Sequence, residues 1–240
     1  MYLYHNNHDG TFSDVSKVSG LSKTVLAMGS NFGDIDNDGY LDMYLGTGNP
    51  DYKSLIPNKL FRNMGNGTFA DVTVSGRVGN LQKGHGVAFN DLDNDGDLDL
   101  VVNNVNMPSY VYRNNSDTIS TKSIRIKLIG DKPNTAAIGA KVIVKYAGNQ
   151  SMLENFPSRG FQSSMDPILH FGVNATSLID SVMVFWPDGR KTTLQNLKSN
   201  KLYEIRQSES VSKGNYSFTL NHLQPCLPSP IDFMHKELDI

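Results

Sequence analysis

Two stretches decide how this chain reads: Asp34-Ile-Asp-Asn-Asp-Gly-Tyr-Leu-Asp42 and Asp91-Leu-Asp-Asn-Asp-Gly-Asp-Leu-Asp99. They stand 57 residues apart, and the offset holds without a gap through Gly29/Gly86, Phe32/Phe89 and Asp34/Asp91. The same offset aligns Leu3-Tyr-His-Asn-Asn-His-Asp-Gly-Thr-Phe-Ser-Asp-Val15 with Leu60-Phe-Arg-Asn-Met-Gly-Asn-Gly-Thr-Phe-Ala-Asp-Val72, and Val111-Tyr-Arg-Asn-Asn115 opens a third unit that does not develop. Self-similarity at a fixed period of this size marks an array of small supersecondary units.

In each loop the carboxylates fall at positions 1, 3, 5 and 9, with glycine at position 6. A tight loop turns alternate side chains toward one centre, and Ca²⁺ takes about 6–8 oxygens in a forgiving geometry. The spacing predicts two calcium sites. The first comprises Asp34, Asp36, Asp38 and Asp42 with the carbonyl of Tyr40. The second comprises Asp91, Asp93, Asp95 and Asp99 with the carbonyl of Asp97. Gly39 and Gly96 are expected at positive φ, where the turn is sharpest. Without a cation the clustered acids would repel and titrate high. An EF-hand is excluded because position 12 is Leu45 or Val102 rather than an acid, and the flanks read as strands. A plain surface turn capped by Asp and Asn is disfavoured by the second copy in register. Asn37 and Asn94, at position 4, are expected to support the loops rather than bind metal.

Around the loops the pattern is all-β. Leu60 to Asn63, a Gly65-Asn-Gly67 turn and Thr68 to Val72 predict a hairpin. Leu98, Leu100 and Val102 alternate against Asp97, Asp99 and Val101, as in a strand with two faces. Residues 1–116 are therefore two repeats and the start of a third, built as four-stranded sheets of the propeller-blade kind. Closure of a propeller takes about 4–8 blades, so these blades are incomplete. The repeat ends near Lys122. Strands are expected at 123–129, 140–146, 169–171, 180–185, 191–197 and 202–205, which makes residues 122–206 a small β-sandwich or barrel. Residues 207–240 read as a linker and tail rich in Ser, Asn and Pro.

Composition narrows the function. The 240 residues carry 22 Lys+Arg against 24 Asp+Glu, a formal charge of −2, with no electrostatic bias toward nucleic acid or anionic lipid. Four of the acids lie in the first loop and five in the second. Asp outnumbers Glu 20 to 4 and Asn occurs 24 times, the signature of a turn-rich β protein. The single Cys226 excludes an internal disulfide framework. No stretch is long and apolar enough to span a bilayer, and Met1-Tyr-Leu-Tyr-His5 does not read as a charged segment leading into an apolar signal-peptide core. Neither H-E-x-x-H, G-x-S-x-G, a P-loop nor G-x-G-x-x-G occurs. His170 reads as a strand residue with a satisfied ring, Trp186 as core, and Arg159, Arg190, Lys191 and Lys141 as a solvated face.

The loops with their Phe and Gly neighbours resemble FG-GAP/VCBS repeats. Ala137-Ile-Gly-Ala-Lys141, Arg159-Gly-Phe-Gln-Ser-Ser164, Leu169-His-Phe-Gly172 and Trp186-Pro-Asp-Gly189 resemble the ASPIC/UnbV domain. The resemblance implies calcium-bearing propeller blades, calcium as a structural ion, and an extracellular or cell-surface setting. The chain is expected to be an internal piece of a longer secreted protein. The function expected is a non-catalytic calcium-binding scaffold for an unidentified protein or glycan partner. The rival is an enzyme, or an accessory of one, acting on polysaccharide; outside the loops no acid pair stands out for it, and Asp188 and Asp180 lie only in plausible turn and strand positions.

Overall fold

The computed structural model describes residues 1–48, 56–116 and 120–210, together with the strand backbones at 212–213 and 233–236. Every element of these residues is a strand except one 3-10 turn at Gln207–Glu209. The most N-terminal pair, β1 (Tyr4–Asn6) and β2 (Phe12–Asp14), is an exposed antiparallel hairpin.

The first four-stranded sheet runs β3 (Gly29–Gly33), β4 (Asp42–Gly46), β5 (Lys59–Asn63) and β6 (Phe69–Asp71) in simple antiparallel order. The expected hairpin is β5–β6, with Gly65 and Gly67 at φ 69° and 83°. In the second repeat β7 (Gly84–Asn90), β8 (Asp99–Asn104) and β9 (Tyr110–Asn114) reproduce β3, β4 and β5. Each acidic loop is the connection between the first two strands of its sheet, so the sheet fixes both of its ends. One apolar cluster spans both sheets: Ile35, Tyr44, Leu60 and Val78 pack with Val87, Phe89, Leu98, Leu100, Val102 and Tyr112. Burial of each such side chain contributes roughly 1.5–3 kcal/mol, so the two repeats form one core.

The second module pairs a three-stranded sheet with a five-stranded one. Its strands are β10 (Ser123–Ile129), β11 (Lys141–Tyr146), β12 (Asn149–Glu154), β13 (Ile168–Gly172), β14 (Leu178–Phe185), β15 (Arg190–Lys198), β16 (Lys201–Arg206) and β17 (Ser212–Lys213). The sheet orders are β13-β10-β16, with β10 and β16 parallel, and β12-β11-β14-β15-β17. Ile124, Ile126, Phe171, Val142, Val144, Val184 and Trp186 fill the space between them. Trp186 is buried, as expected, and its Nε1–H donates to Thr192 Oγ1 at 2.9 Å.

Three strands differ from the sequence expectation. β12 has no β-branched residue and was not expected. The stretch read as a tail supplies β18 (Phe233–Lys236), which pairs antiparallel with β9 and gives the second sheet its fourth strand, in the order β18-β9-β8-β7. The second module thus lies in the connection between the third and fourth strands of that sheet. Among the described residues the sheets form an open set, and none of them closes on itself. The stretch read as linker and tail also supplies the 3-10 turn and β17, which pairs with β15; its other residues beyond Ser210, Cys226 among them, lie outside the described residues.

Candidate metal centre

The two acidic loops repeat in three dimensions what they repeat in sequence. Asn37 and Asn94 adopt φ 58° and 64°, and Gly39 and Gly96 adopt φ 92° and 100°. Position 1 draws the loop around itself: Asp34 accepts the Asp38 N–H at 3.0 Å and the Gly39 N–H at 2.8 Å, and Asp91 accepts the Gly96 N–H at 3.2 Å. Position 5 makes a short turn, Asp38 accepting from Tyr40 N–H and Asp95 from Asp97 N–H. Position 9 closes the base. Asp42 accepts N–H groups from Ile35 and Asn63, and Asp99 accepts them from Leu92 and Asn114.

This scaffold brings carboxylate oxygens of Asp34, Asp36 and Asp42 within 4.8 Å of one another, and likewise those of Asp91, Asp93 and Asp95. Asp38 and Asp99 stand outside these tightest groups: both oxygens of Asp99 accept from backbone amides, whereas Asp38 gives Oδ1 to the Tyr40 N–H and turns Oδ2 toward Arg62. Tyr40 and Asp97 are buried at position 7 of their loops. The loops differ in solvation. Asp34, Asp36, Asp38 and Asp42 are all buried, whereas Asp93 and Asp95 are about one-third exposed at the side chain.

Arginines partner both loops. Arg62 meets Asp36, with Asp38 at 3.7 Å, and the equivalent Arg113 meets Asp93 at 2.7 Å and Asp95 at 3.3 Å. Arg125, from β10 of the second module, meets Asp91 and, at 3.1 Å, Asn94 Oδ1. Sequence reasoning missed these three. The Arg-Asn pair recurring at 62–63 and 113–114 was a usable signal for the first two, whereas Arg125 had none, reading as the polar face of an alternating strand.

One guanidinium does not balance four buried carboxylates. Burial first, and then the neighbouring carboxylates, hold Asp34 and Asp42 well above the usual range. Burial and Asp36 push Asp38 up to about 7, burial and Asp95 push Asp97 up to about 7, and burial raises Asp99 to about 6. Asp36 Oδ1, Asp91 Oδ1 and Asp97 Oδ2 are buried without a hydrogen-bond partner. A buried carboxylate oxygen with no donor is costly unless something positive reaches it. The donor set is all oxygen, as hard cations require. The residues present fit a divalent ion.

The second module forms a wall over both loops. Arg125 and His170 are cross-strand partners on β10 and β13, on the face turned away from Ile124 and Ile126. His170 Nε2–H donates to Asn37 Oδ1 at 2.7 Å. Asn37 Nδ2 is itself a donor, to Asp97 Oδ1 at 2.6 Å and to the Gly96 carbonyl, which fixes Oδ1 as the acceptor. His170 is only half satisfied, since its buried Nδ1 has no partner. Burial and the Arg125 charge push its pKa down to about 3, so the ring is neutral. Asn37 therefore joins loops and module, beyond the loop-supporting role expected of it. A cavity of about 280 Å³ lies in the same seam, lined by residues such as Phe32, Asp91, Arg125, Asn155, Phe156 and His170. Asp188, one of the acids open to a catalytic rival, is taken up by Arg190 at 2.6 Å, which also holds Asp131. Asp180 lies exposed on β14.

Repeats, loops and appended sandwich together define the class. Residues 1–45 and 46–102 match the FG-GAP-like repeat and residues 130–212 the ASPIC and UnbV family, so the chain is an FG-GAP-like repeat protein carrying an ASPIC/UnbV domain. It is similar to cartilage acidic protein 1 of Mus musculus, 37% identical over 100 residues, which are 41% of this chain and 15% of that protein. The human and Xenopus tropicalis proteins of the same name are each 36% identical over similar stretches, covering 14% and 15% of their lengths. The matched stretch thus spans about one-seventh of the length of these relatives. Among the described residues no helix is long and apolar enough to cross a membrane.

Proposed function

We propose that this chain is a non-catalytic β scaffold whose two loops each bind one Ca²⁺, and which displays its surfaces to a protein or glycan partner outside the cell or at its surface. Asp34, Asp36, Asp38 and Asp42 with the Tyr40 carbonyl are the ligands of the first ion. Asp91, Asp93, Asp95 and Asp99 with the Asp97 carbonyl are those of the second. The observation that carries this reading is Asp36: 1% exposed, set among three other buried carboxylates, with Oδ1 bare of any donor. Mg²⁺ suits the loops less, since it retains water and demands a stricter octahedron. Similarity to proteins whose name attaches them to cartilage supports the extracellular setting.

Isothermal titration of calcium into the chelator-treated protein tests the reading. Two sites are expected, and at about 100 times the dissociation constant each stabilises the fold by about 2.7 kcal/mol. Absence of binding heat together with superimposable melting curves in calcium and chelator would overturn it.

A further inference from the structure

We infer that cation binding by the two loops and docking of the second module are one coupled equilibrium, with Asn37 as the joint. The inference rests on the calcium reading above and adds to it a consequence for the module that bears no ligand.

Asn37 sits at position 4 of the first loop, between two ligand positions, and is 1% exposed. Its side-chain amide and its main-chain carbonyl all point out of its own loop. Nδ2 reaches Asp97 and Gly96 of the second loop, Oδ1 accepts from His170, and the main-chain carbonyl accepts the Asn174 N–H at 2.8 Å. The second loop is gripped from the same side, Ser123 Oγ–H donating to the Gly96 carbonyl at 2.9 Å while Arg125 meets Asp91 and Asn94.

Steric fit is as close as the hydrogen bonding. A Cβ added to Gly172, the last residue of β13, would lie 2.0 Å from Asp34 Oδ2 and 2.5 Å from Asn37 Cα. A Cβ on Gly39 would lie 2.3 Å from the Tyr146 hydroxyl. The module rests on the backbone of the first loop, so it docks only on a loop of this shape. That shape requires Asp34, Asp36, Asp38 and Asp42 to converge, which like charges oppose unless a cation is bound. By linkage, whatever stabilises the converged loop stabilises docking, and docking raises the affinity for the ion by the same factor.

The test uses the whole chain, with calcium as the only added ligand. Hydrogen exchange of the Asn174 amide is followed by NMR in calcium and in chelator. If undocking requires release of the ion, calcium at about 100 times its dissociation constant slows this exchange up to about 100-fold. Asn37→Gly keeps the positive φ accessible and deletes the side-chain links. It should retain calcium-dependent slowing at the Gly39 amide and lose most of it at Asn174. Gly172→Ala should weaken calcium binding by a factor in the usual coupling range of about 5–150, with emission of the buried Trp186 reporting that its module remains folded. Calcium binding with Asn174 exchange unchanged would overturn the coupling and leave the calcium reading standing, as would unchanged calcium affinity in folded Gly172→Ala. Absence of any binding heat would overturn both.

Discussion

Asn63 donates its main-chain N–H to Asp42 Oδ1 at 2.7 Å, tying β5 to the last acid of the loop that precedes it. The other oxygen of Asp42 accepts from Ile35 at 3.0 Å, so one fully buried carboxylate satisfies two backbone donors from different parts of the sheet. Asp42→Ala leaves both donors without partners inside the protein. Each orphaned buried group costs about 1–3 kcal/mol, so a loss of roughly 2–6 kcal/mol is expected in urea unfolding, with or without calcium. Asp38→Ala, which frees the single Tyr40 N–H, should cost less in chelator. A smaller loss for Asp42→Ala than for Asp38→Ala would contradict this structural role.

Acidity should act in an unusual direction on the metal-free protein. Asp38 and Asp97 titrate near 7 and Asp99 near 6 in the folded state, against an ordinary 3.8. These three carboxyls hold protons that the unfolded chain releases, outweighing the single neutral His170, which acts the other way, so stability present at pH 4 is lost as pH rises toward 7. In chelator the melting temperature is expected to fall across that window. In saturating calcium the fall should shrink or vanish. A chelated protein that gains stability between pH 5 and 7 would refute the assignment of raised carboxylates.

The equivalent arginines should differ in consequence. Arg62 is 9% exposed at its side chain and partners the buried Asp36, whereas Arg113 is 51% exposed. Arg62→Met removes the cation nearest to the buried cluster, so the melting temperature in chelator should drop by several degrees while the increment on adding calcium grows. Arg113→Met should shift the curve little, because exposed ion pairs are weak and screened by salt. Equal behaviour of the two variants would show that burial does not govern these loops.

The loop glycines give a matched comparison. Gly39 and Gly96 share positive φ, but a Cβ at Gly96 would meet nothing nearer than Ser123 Oγ at 3.4 Å, whereas at Gly39 it would strike the Tyr146 hydroxyl. Gly96→Ala should cost about 1–3 kcal/mol of backbone strain, and Gly39→Ala more, because β11 must also give way. Equal losses in chemical denaturation would mean that the module does not press on the first loop.

The loops were legible because everything that shapes them is local. Alternate acids, a glycine at position 6 and a second copy that differs only at Ile35/Leu92 and Tyr40/Asp97 give their geometry from nine residues apiece. The strands of the second module were legible where branched residues alternate, as in Ile124, Ile126 and Leu128, and illegible at Asn149–Glu154, where pairing with β11 rather than propensity makes the strand. What no local pattern could reveal was the wall over the loops. Arg125 lies one position from a core isoleucine and reads as a solvent-facing residue, and its partner Asp91 is contributed by another module. His170 was expected to be satisfied, yet only Nε2 finds a partner, because that partner is Asn37, far away in sequence.

The return of the chain to β9 has a mechanical meaning. Phe233 faces Asn114 and Lys236 faces Val111, so β9 and β18 are neighbours whose intervening connection contains the entire second module. Tension applied between Val111 and Lys236 would load this ladder at that end and unzip it pair by pair. The second module bears no load until the last of those pairs has parted. It rides on the repeats as a shielded side loop, and the four residues of β18 act as the fuse that determines when it is exposed to force.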